Sequence, residues 1–196
     1  MALEKIPKAL HTKYEIHEWR HASAILLNDF PSEWADIFDV LNRFILKKSH
    51  ITTPGGSKSA ISIWMDQELT AKGWKERKFD TSIKVDDIEF ASPTHKVDCF
   101  KNRIGLEIEW NNKDPFFDRD LNNFRLLFEL RTIAVGIIVT RCDELQEIFV
   151  ELGRGSSYGN STTHMSKLLP RLEGGAGGGC PILVLGIRKA LYDPAI

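Results

Sequence analysis

The sequence is poor in the residues on which stapled or zinc-bound folds depend. Its 196 residues include three cysteines, Cys99, Cys142 and Cys180. They lie far apart and in no metal-ligand spacing. Neither a disulfide scaffold nor a zinc site is therefore expected, and a sparse, odd set suits a reducing cytoplasm. His95 and His164 stand alone, without the neighbouring His or Cys that zinc needs. No apolar run approaches the ~20 residues of a membrane-spanning helix. The opening stretch "MALEKIPKAL" lacks the apolar core of a secretory signal. A cytoplasmic protein with no membrane partner is expected. Charge of one sign is also missing, since 26 basic residues face 27 acidic ones. That balance gives no argument for nucleic acid and excludes none, because a local basic surface can coexist with acidic catalytic groups. Neither "TPGGSKS" nor "GGAGGG" has the ending of a nucleotide P-loop at the right spacing. The Gly-x-Ser-x-Gly letters of Gly155–Gly159 fall in a polar loop after a helix and not on a strand-to-helix elbow, and no Gly-x-Gly-x-x-Gly follows a strand.

What is present suits one globular domain over residues 1–196. A hydrophobic fraction of 42% is enough for a real core at this length. Residues 12–28, "TKYEIHEWRHASAILLN", read as a strand or a strand leading into a turn. In residues 31–48, Trp34, Ile37, Phe38, Leu41, Phe44 and Ile45 recur at helical spacing. Pro31 suits the first turn of that helix and Lys47 and Lys48 its end. Residues 49–60 read as a loop, and "SIWMDQELTAKGW" as a helix ended by Gly73. "SIKVDDIEF" reads as a strand with one polar face, "NRIGLEIEWNN" as a second strand, and "DPFFDRDLNNFRLLFELRT" as a long helix. "IAVGIIVT" is a continuous apolar run, typical of a strand buried on both faces. A helix ("RCDELQEIFVEL"), a polar loop ("GRGSSYGNSTTH"), a short helix ("HMSKLLPRL"), a glycine-rich turn and a buried strand ("CPILVLGIRKAL") complete the order. Strands alternating with helices imply an α/β fold, a central mixed β-sheet flanked by helices on both faces.

The stretch "LEIEW", Leu106 to Trp110, is unusual. A period of two puts Leu106, Ile108 and Trp110 on one face of a strand and Glu107 and Glu109 on the other. Adjacent like charges repel, so something must compensate them. Asp98 lies nine residues before Glu107, at the start of the strand or in the turn leading into it. Three carboxylates converging at a strand end make a hard oxygen site that suits Mg²⁺ or Mn²⁺. The spacing equally allows a plain solvent-facing acidic face on an edge strand.

The neighbourhood of these acids resembles the type II restriction endonucleases of the BglII and BstYI group, within the PD-(D/E)xK nuclease superfamily. The similar segments are "HASAILLNDFPSEWADIFDVL", "MDQELTAKGWKE", "DCFKNRIGLEIEW" and "GRGSSYGNSTTH…LP…GGGCPILVLGI", which together span most of the chain. The resemblance implies a restriction-endonuclease-like fold, with Asp98 and Glu107 as the metal-binding pair. Many members carry Lys at the third position, and BglII and BstYI carry Gln. Here it is Glu109, a Glu-x-Glu arrangement similar to that of BamHI, in which the third residue acts as general base or further ligand. A BamHI-like acid upstream points to Glu76.

The same resemblance implies Mg²⁺-dependent hydrolysis of double-stranded DNA by a homodimer at a short palindrome, with Mn²⁺ able to substitute and a 5′-phosphate and 3′-hydroxyl as ends. A GATC-like centre and a cognate DNA methyltransferase belong to the same expectation. Candidate DNA contacts are Asn111, Asn112 and Lys113 after the acids. Arg154, Ser156, Ser157, Tyr158, Asn160, Ser161, Thr162, Thr163 and His164 of the polar loop could enter the major groove. Lys58 and Ser59 of "TPGGSKS" could cradle a phosphate. Each of these segments also reads as an ordinary polar turn or loop. The residues leave open a repair or recombination nuclease of the same fold, and a non-catalytic DNA-binding relative.

Overall fold

A computed structural model of the chain describes residues 2–53, 58–92 and 94–195. The helices are α1 (Lys8–Lys13), α2 (Ala22–Asp29), α3 (Pro31–Arg43), α4 (Lys48–Thr52), α5 (Ala60–Thr70), α6 (Phe116–Glu129), α7 (Leu145–Glu151) and α8 (Met165–Glu173). The strands are β1 (Tyr14–Trp19), β2 (Leu46–Lys47), β3 (Lys75–Arg77), β4 (Ser82–Val85), β5 (Ile88–Ala91), β6 (Val97–Lys101), β7 (Ile104–Ile108), β8 (Val135–Arg141), β9 (Ile182–Ile187) and β10 (Tyr192–Asp193).

Six strands form one mixed sheet in the order β1-β9-β8-β7-β6-β3. The pairs β7–β8 and β8–β9 are parallel, and the outer pairs are antiparallel. The central strands β8 and β9 are buried along their whole length, which is why "IAVGIIVT" and "CPILVLGI" are continuously apolar. Alternation divides their side chains between two cores. Leu106, Ile108, Trp110, Ile137, Val139, Leu183 and Leu185 face a cluster that includes Leu26, Ile37, Met65 and Phe149 from the helices of one side. Ile138, Ile182 and Val184 face Phe117, Leu121, Phe124, Leu127 and Leu168 on the other. The sheet is thus layered between helices on both faces, as the periodicity predicts. Helix α6 lies so close to β8 that a Cβ on Gly136 would stand 2.4 Å from the Phe124 ring.

Several local expectations are corrected. Residues 12–28 are not one strand, since β1 is flanked by α1 and α2. Ala22, Ser23 and Leu26 of α2 are buried, and this packing decides a segment whose alternation is short. The helix from Pro31 ends at Arg43. Phe44 turns to extended backbone (φ −63°, ψ 137°), so Lys47 lies in β2 and Lys48 starts α4. Part of the loop expected at 49–60 is therefore helical; residues 54–57 lie outside the described residues. "SIKVDDIEF" is a hairpin of β4 and β5, reversed at Asp86 (φ 52°). Its cross-strand pairs Ile83–Phe90 and Val85–Ile88 share one exposed apolar face. The helix before Gly73 ends at Thr70, and Gly73 takes the left-handed φ of 89° that a glycine adopts without strain.

Candidate active site

The nine-residue step from Asp98 to Glu107 is a hairpin, not a single strand. β6 and β7 are antiparallel, with Cys99 opposite Leu106 and Lys101 opposite Ile104. The turn is Asn102-Arg103, both with positive φ (41° and 69°), the conformation that matches a two-residue turn to the twist of the strands. The register carries on to set Asp98 beside Glu107. The Asp98 amide donates to Glu107 Oε2 at 3.3 Å, and the Ile108 amide donates to Asp98 Oδ2 at 3.2 Å. Asp98 therefore comes from the neighbouring strand, and not from the start of the Glu107 strand.

The pair Glu107 and Glu109 does share a face, but it does not face solvent on an edge. β7 is an inner strand, and the two residues are 1% and 2% exposed. Glu109 sits just past β7, where its amide extends the ladder to the Val139 carbonyl at 2.8 Å. Its side chain is held by two donors. Asn112 Nδ2 donates to Glu109 Oε2 at 2.6 Å, and Arg119 Nη2 donates to Oε1 at 3.3 Å. Arg119 also donates through Nε to Asp120 Oδ1 at 2.9 Å. Asp120 is fully buried on the inner face of α6.

Burial first, then Asp120 and Asp98, pushes the Glu107 carboxyl well above the usual carboxylate range. Burial and then Asp120 raise Glu109 to about 9. Burial also raises Asp120, while Arg119 opposes it. Among the described residues, Glu107 Oε1 is buried without a hydrogen-bond partner, a state that costs about 1–3 kcal/mol, while the Asp120 carboxyl meets that of Glu109. A hard cation supplies what such an oxygen lacks. Among the described residues, no three His, Cys, Asp or Glu side chains are gathered as a metal-binding cluster. The threefold set Asp98, Glu107 and Glu109 is thus not assembled, because Arg119 and Asn112 hold the third member. Asp98 and Glu107 fit a divalent cation by donor chemistry and by the unpartnered oxygen.

Above this floor opens a cleft of about 610 Å³. It brings together Lys58, Ser59, Glu76, Asp98, Glu109, Asn111, Asn112, Arg154 and Tyr158 from the expected set, and adds His50, His95 and Arg119. Glu107, buried between its neighbours Asp98 and Ile108, does not itself line it. Glu76, on β3, is exposed and paired to Lys96 at 2.9 Å, which keeps its carboxyl below the usual range. Lys58 pairs with Asp66. Ser59 caps α5, its hydroxyl accepting from the Ser62 amide at 3.0 Å.

The remaining candidates do not line the cleft. Lys113, Ser156, Ser157, Asn160 and Ser161 are exposed. Thr163 and His164 are buried, as is Tyr158 in the wall of the cleft. Tyr158 accepts from Trp110 Nε1 at 3.3 Å and stacks on Phe149. Thr163 Oγ1 accepts from the Asn112 amide, and Thr163 N donates to the Asn112 carbonyl at 2.8 Å. His164 precedes α8 at its N-terminus, without a side-chain capping bond, and stands beside Asp143, with burial lowering its pKa. Arg141 Nη2 holds the loop by the Tyr158 carbonyl and Thr162 Oγ1. The polar loop is therefore docked on the segment after the acids, which it braces.

Arg119 and Asp120 escaped the sequence reading. Their one signal is an acid between Phe117 and Phe124 on the apolar side of an amphipathic helix, where charge is rare unless it has a partner.

A family profile described as restriction endonuclease BglII/BglIII matches residues 14–187. No curated protein matches the chain. The match begins at the first residue of β1 and ends at the last of β9, so it spans the whole sheet that carries the acids, the long helix α6 that carries Arg119 and the loop docked beside them. It sets aside both the repair-nuclease and the non-catalytic readings. From the first strand of its sheet to the last, the chain belongs to the BglII/BglIII restriction endonuclease family, type II enzymes that hydrolyse double-stranded DNA.

Proposed function

We propose that residues 1–196 act as one catalytic and DNA-binding domain that cuts a short palindrome, with a GATC-like centre, in the presence of Mg²⁺, and that Mn²⁺ substitutes for it. The carrying observation is the pair Asp98 and Glu107, held side by side across a hairpin at a cleft that Asp98 lines, with Glu107 Oε1 left without a hydrogen-bond partner among the described residues. These two residues would hold the cation. When bound, a divalent ion neutralises charge on the scissile phosphate and makes water more acidic. Glu109 accepts the proton of the attacking water, whose oxygen bonds to phosphorus as the bond from phosphorus to the 3′ oxygen breaks; the 3′ oxygen takes a proton from solvent water, leaving a 5′-phosphate and a 3′-hydroxyl. In the metal-free protein Glu109 holds a proton of its own, which a cation at Asp98 and Glu107 would help it release before it serves as base.

Lys58, Arg154 and Lys113 neutralise backbone phosphates. Asn111 and Asn112 stand nearest the acids, where an amide can pair with adenine in the major groove. Ser156, Ser157, Asn160 and Ser161 offer further donors and acceptors. Ser59 presents the N-terminus of α5 to the cleft. Glu76 joins from β3 once Lys96 turns to a phosphate, since an exposed pair of this kind is worth only about 0–1 kcal/mol. Two copies related by a two-fold axis match the two-fold symmetry of a palindrome. The enzyme works in the cytoplasm beside a methyltransferase that protects the same sequence.

The test replaces Glu107 with Ala. Cleavage should be lost while site-specific DNA binding in Ca²⁺ persists. Full Mg²⁺-dependent cleavage by Glu107→Ala would overturn the assignment.

A further inference from the structure

The three acids differ in what their oxygens already hold. Asp98 Oδ2 accepts from the Ile108 amide, and Glu107 Oε2 accepts from the Asp98 amide. Glu107 Oε1 has no hydrogen-bond partner among the described residues. Both oxygens of Glu109 are engaged, one by Asn112 at 2.6 Å and the other by Arg119 at 3.3 Å. Arg119 is itself fixed. Its Nε and Nη2 lie 2.9 and 2.8 Å from Asp120 Oδ1, and its guanidinium stands 4.1 Å from the Phe116 ring centroid. Asp120 is fully buried, so the anchor is set by the packing of α6. A guanidinium tied at two carboxylates and stacked on a ring is a stationary charge.

We infer that Arg119, anchored by Asp120, is a positioning residue that holds Glu109 clear of the metal-binding pair. Glu109 then serves the attacking water, and the cation is held by Asp98 and Glu107 without it. This rests on the reading of Asp98 and Glu107 as the ligands. The physical reason is direct. A fixed positive charge beside Glu109 opposes the approach of a divalent cation to that carboxylate. Without Arg119, Oε1 of Glu109 is released next to the pair, with Asn112 still on Oε2, and that oxygen joins the cation.

The test is Mn²⁺ binding to the metal-free full chain by calorimetry, with DNA cleavage measured on the same variants. Glu107→Gln should weaken Mn²⁺ binding by about tenfold or more. Glu109→Gln should leave it near the wild-type value while lowering kcat by about 10²–10⁴-fold. Arg119→Gln should tighten Mn²⁺ binding and lower kcat. Arg119→Lys keeps the charge and should restore the wild-type affinity. A merely structural arginine would loosen the site on removal, not tighten it. The inference is overturned if Glu109→Gln weakens Mn²⁺ binding as much as Glu107→Gln does. It is also overturned if Arg119→Gln folds and binds Mn²⁺ no better than wild type. If Glu107→Gln itself leaves binding unchanged, the assignment of the ligand pair fails instead. Should Arg119→Gln not fold, the two shape-preserving glutamine variants decide alone.

Discussion

Asp98, Glu107, Glu109 and Asp120 share one corner with the guanidinium of Arg119, and the balance of charge there governs the free protein. Glu109 has an ordinary value of 4.5 and is raised to about 9 by burial and by Asp120. Between those values the native state holds a proton that the unfolded chain has released. Stability of the metal-free protein therefore falls as pH rises across that window and levels off above it. A bound cation favours the deprotonated form and opposes the loss. Thermal unfolding should show Tm dropping by several degrees from about pH 6 to about pH 9 without metal, each 1 kcal/mol being worth about 2–4 °C at this size. Ca²⁺ should raise Tm more at the higher pH, whereas a higher metal-free Tm at pH 9 would contradict the account. The alternation that sets Leu106, Ile108 and Trp110 against Glu107 and Glu109 is legible in the sequence because a strand has period two. Burial of the acids is not legible, since it depends on β7 being an inner strand. Asp120 is hidden by its setting, where the helical pattern reads as plain core.

At the scale of elements, the site is a hairpin pressed on a helix. The turn Asn102-Arg103 carries no glycine, so the hairpin signal was weak, and Asp98 was expected on the approach to the same strand. Asp86-Asp87 hid the β4–β5 hairpin for the same reason. By contrast, β8, β9 and α6 were legible, because a long apolar run and a sustained helical period leave few alternatives. Helix α6 is seated by Gly136 and, more loosely, Gly105, whose added Cβ atoms would meet the Phe124 ring at 2.4 and 3.1 Å. Gly136→Ala should therefore destabilise the protein by about 1–3 kcal/mol, as overpacking does. It should also lower kcat, because α6 carries Arg119 and Asp120. Urea unfolding and cleavage rates check both parts. A stable, fully active Gly136→Ala would show that the helix position does not matter to the site.

For the whole molecule, the apolar surplus on α6 is spent within the chain. Phe124 and Leu127 are fully buried in the protomer's own core, Phe128 packs partly against it, and Leu130 stays exposed. Phe124 and Leu127 therefore supply no dimer surface. The expectation of a dimer now rests on the symmetry of a palindrome. Sedimentation with a DNA duplex should give a protein mass twice the 22.3 kDa of the chain, and one chain per duplex under cutting conditions would refute it. Among the described residues, no helix is long and apolar enough to cross a membrane, and all three cysteines are buried as free thiols. The most direct test of the central claim is digestion of a sequenced plasmid by the purified protein in Mg²⁺, followed by sequencing of the ends. Discrete fragments that share one palindrome and carry 5′-phosphates are predicted. A smear of unrelated ends, or an intact plasmid that carries several copies of every short palindrome, would contradict the account.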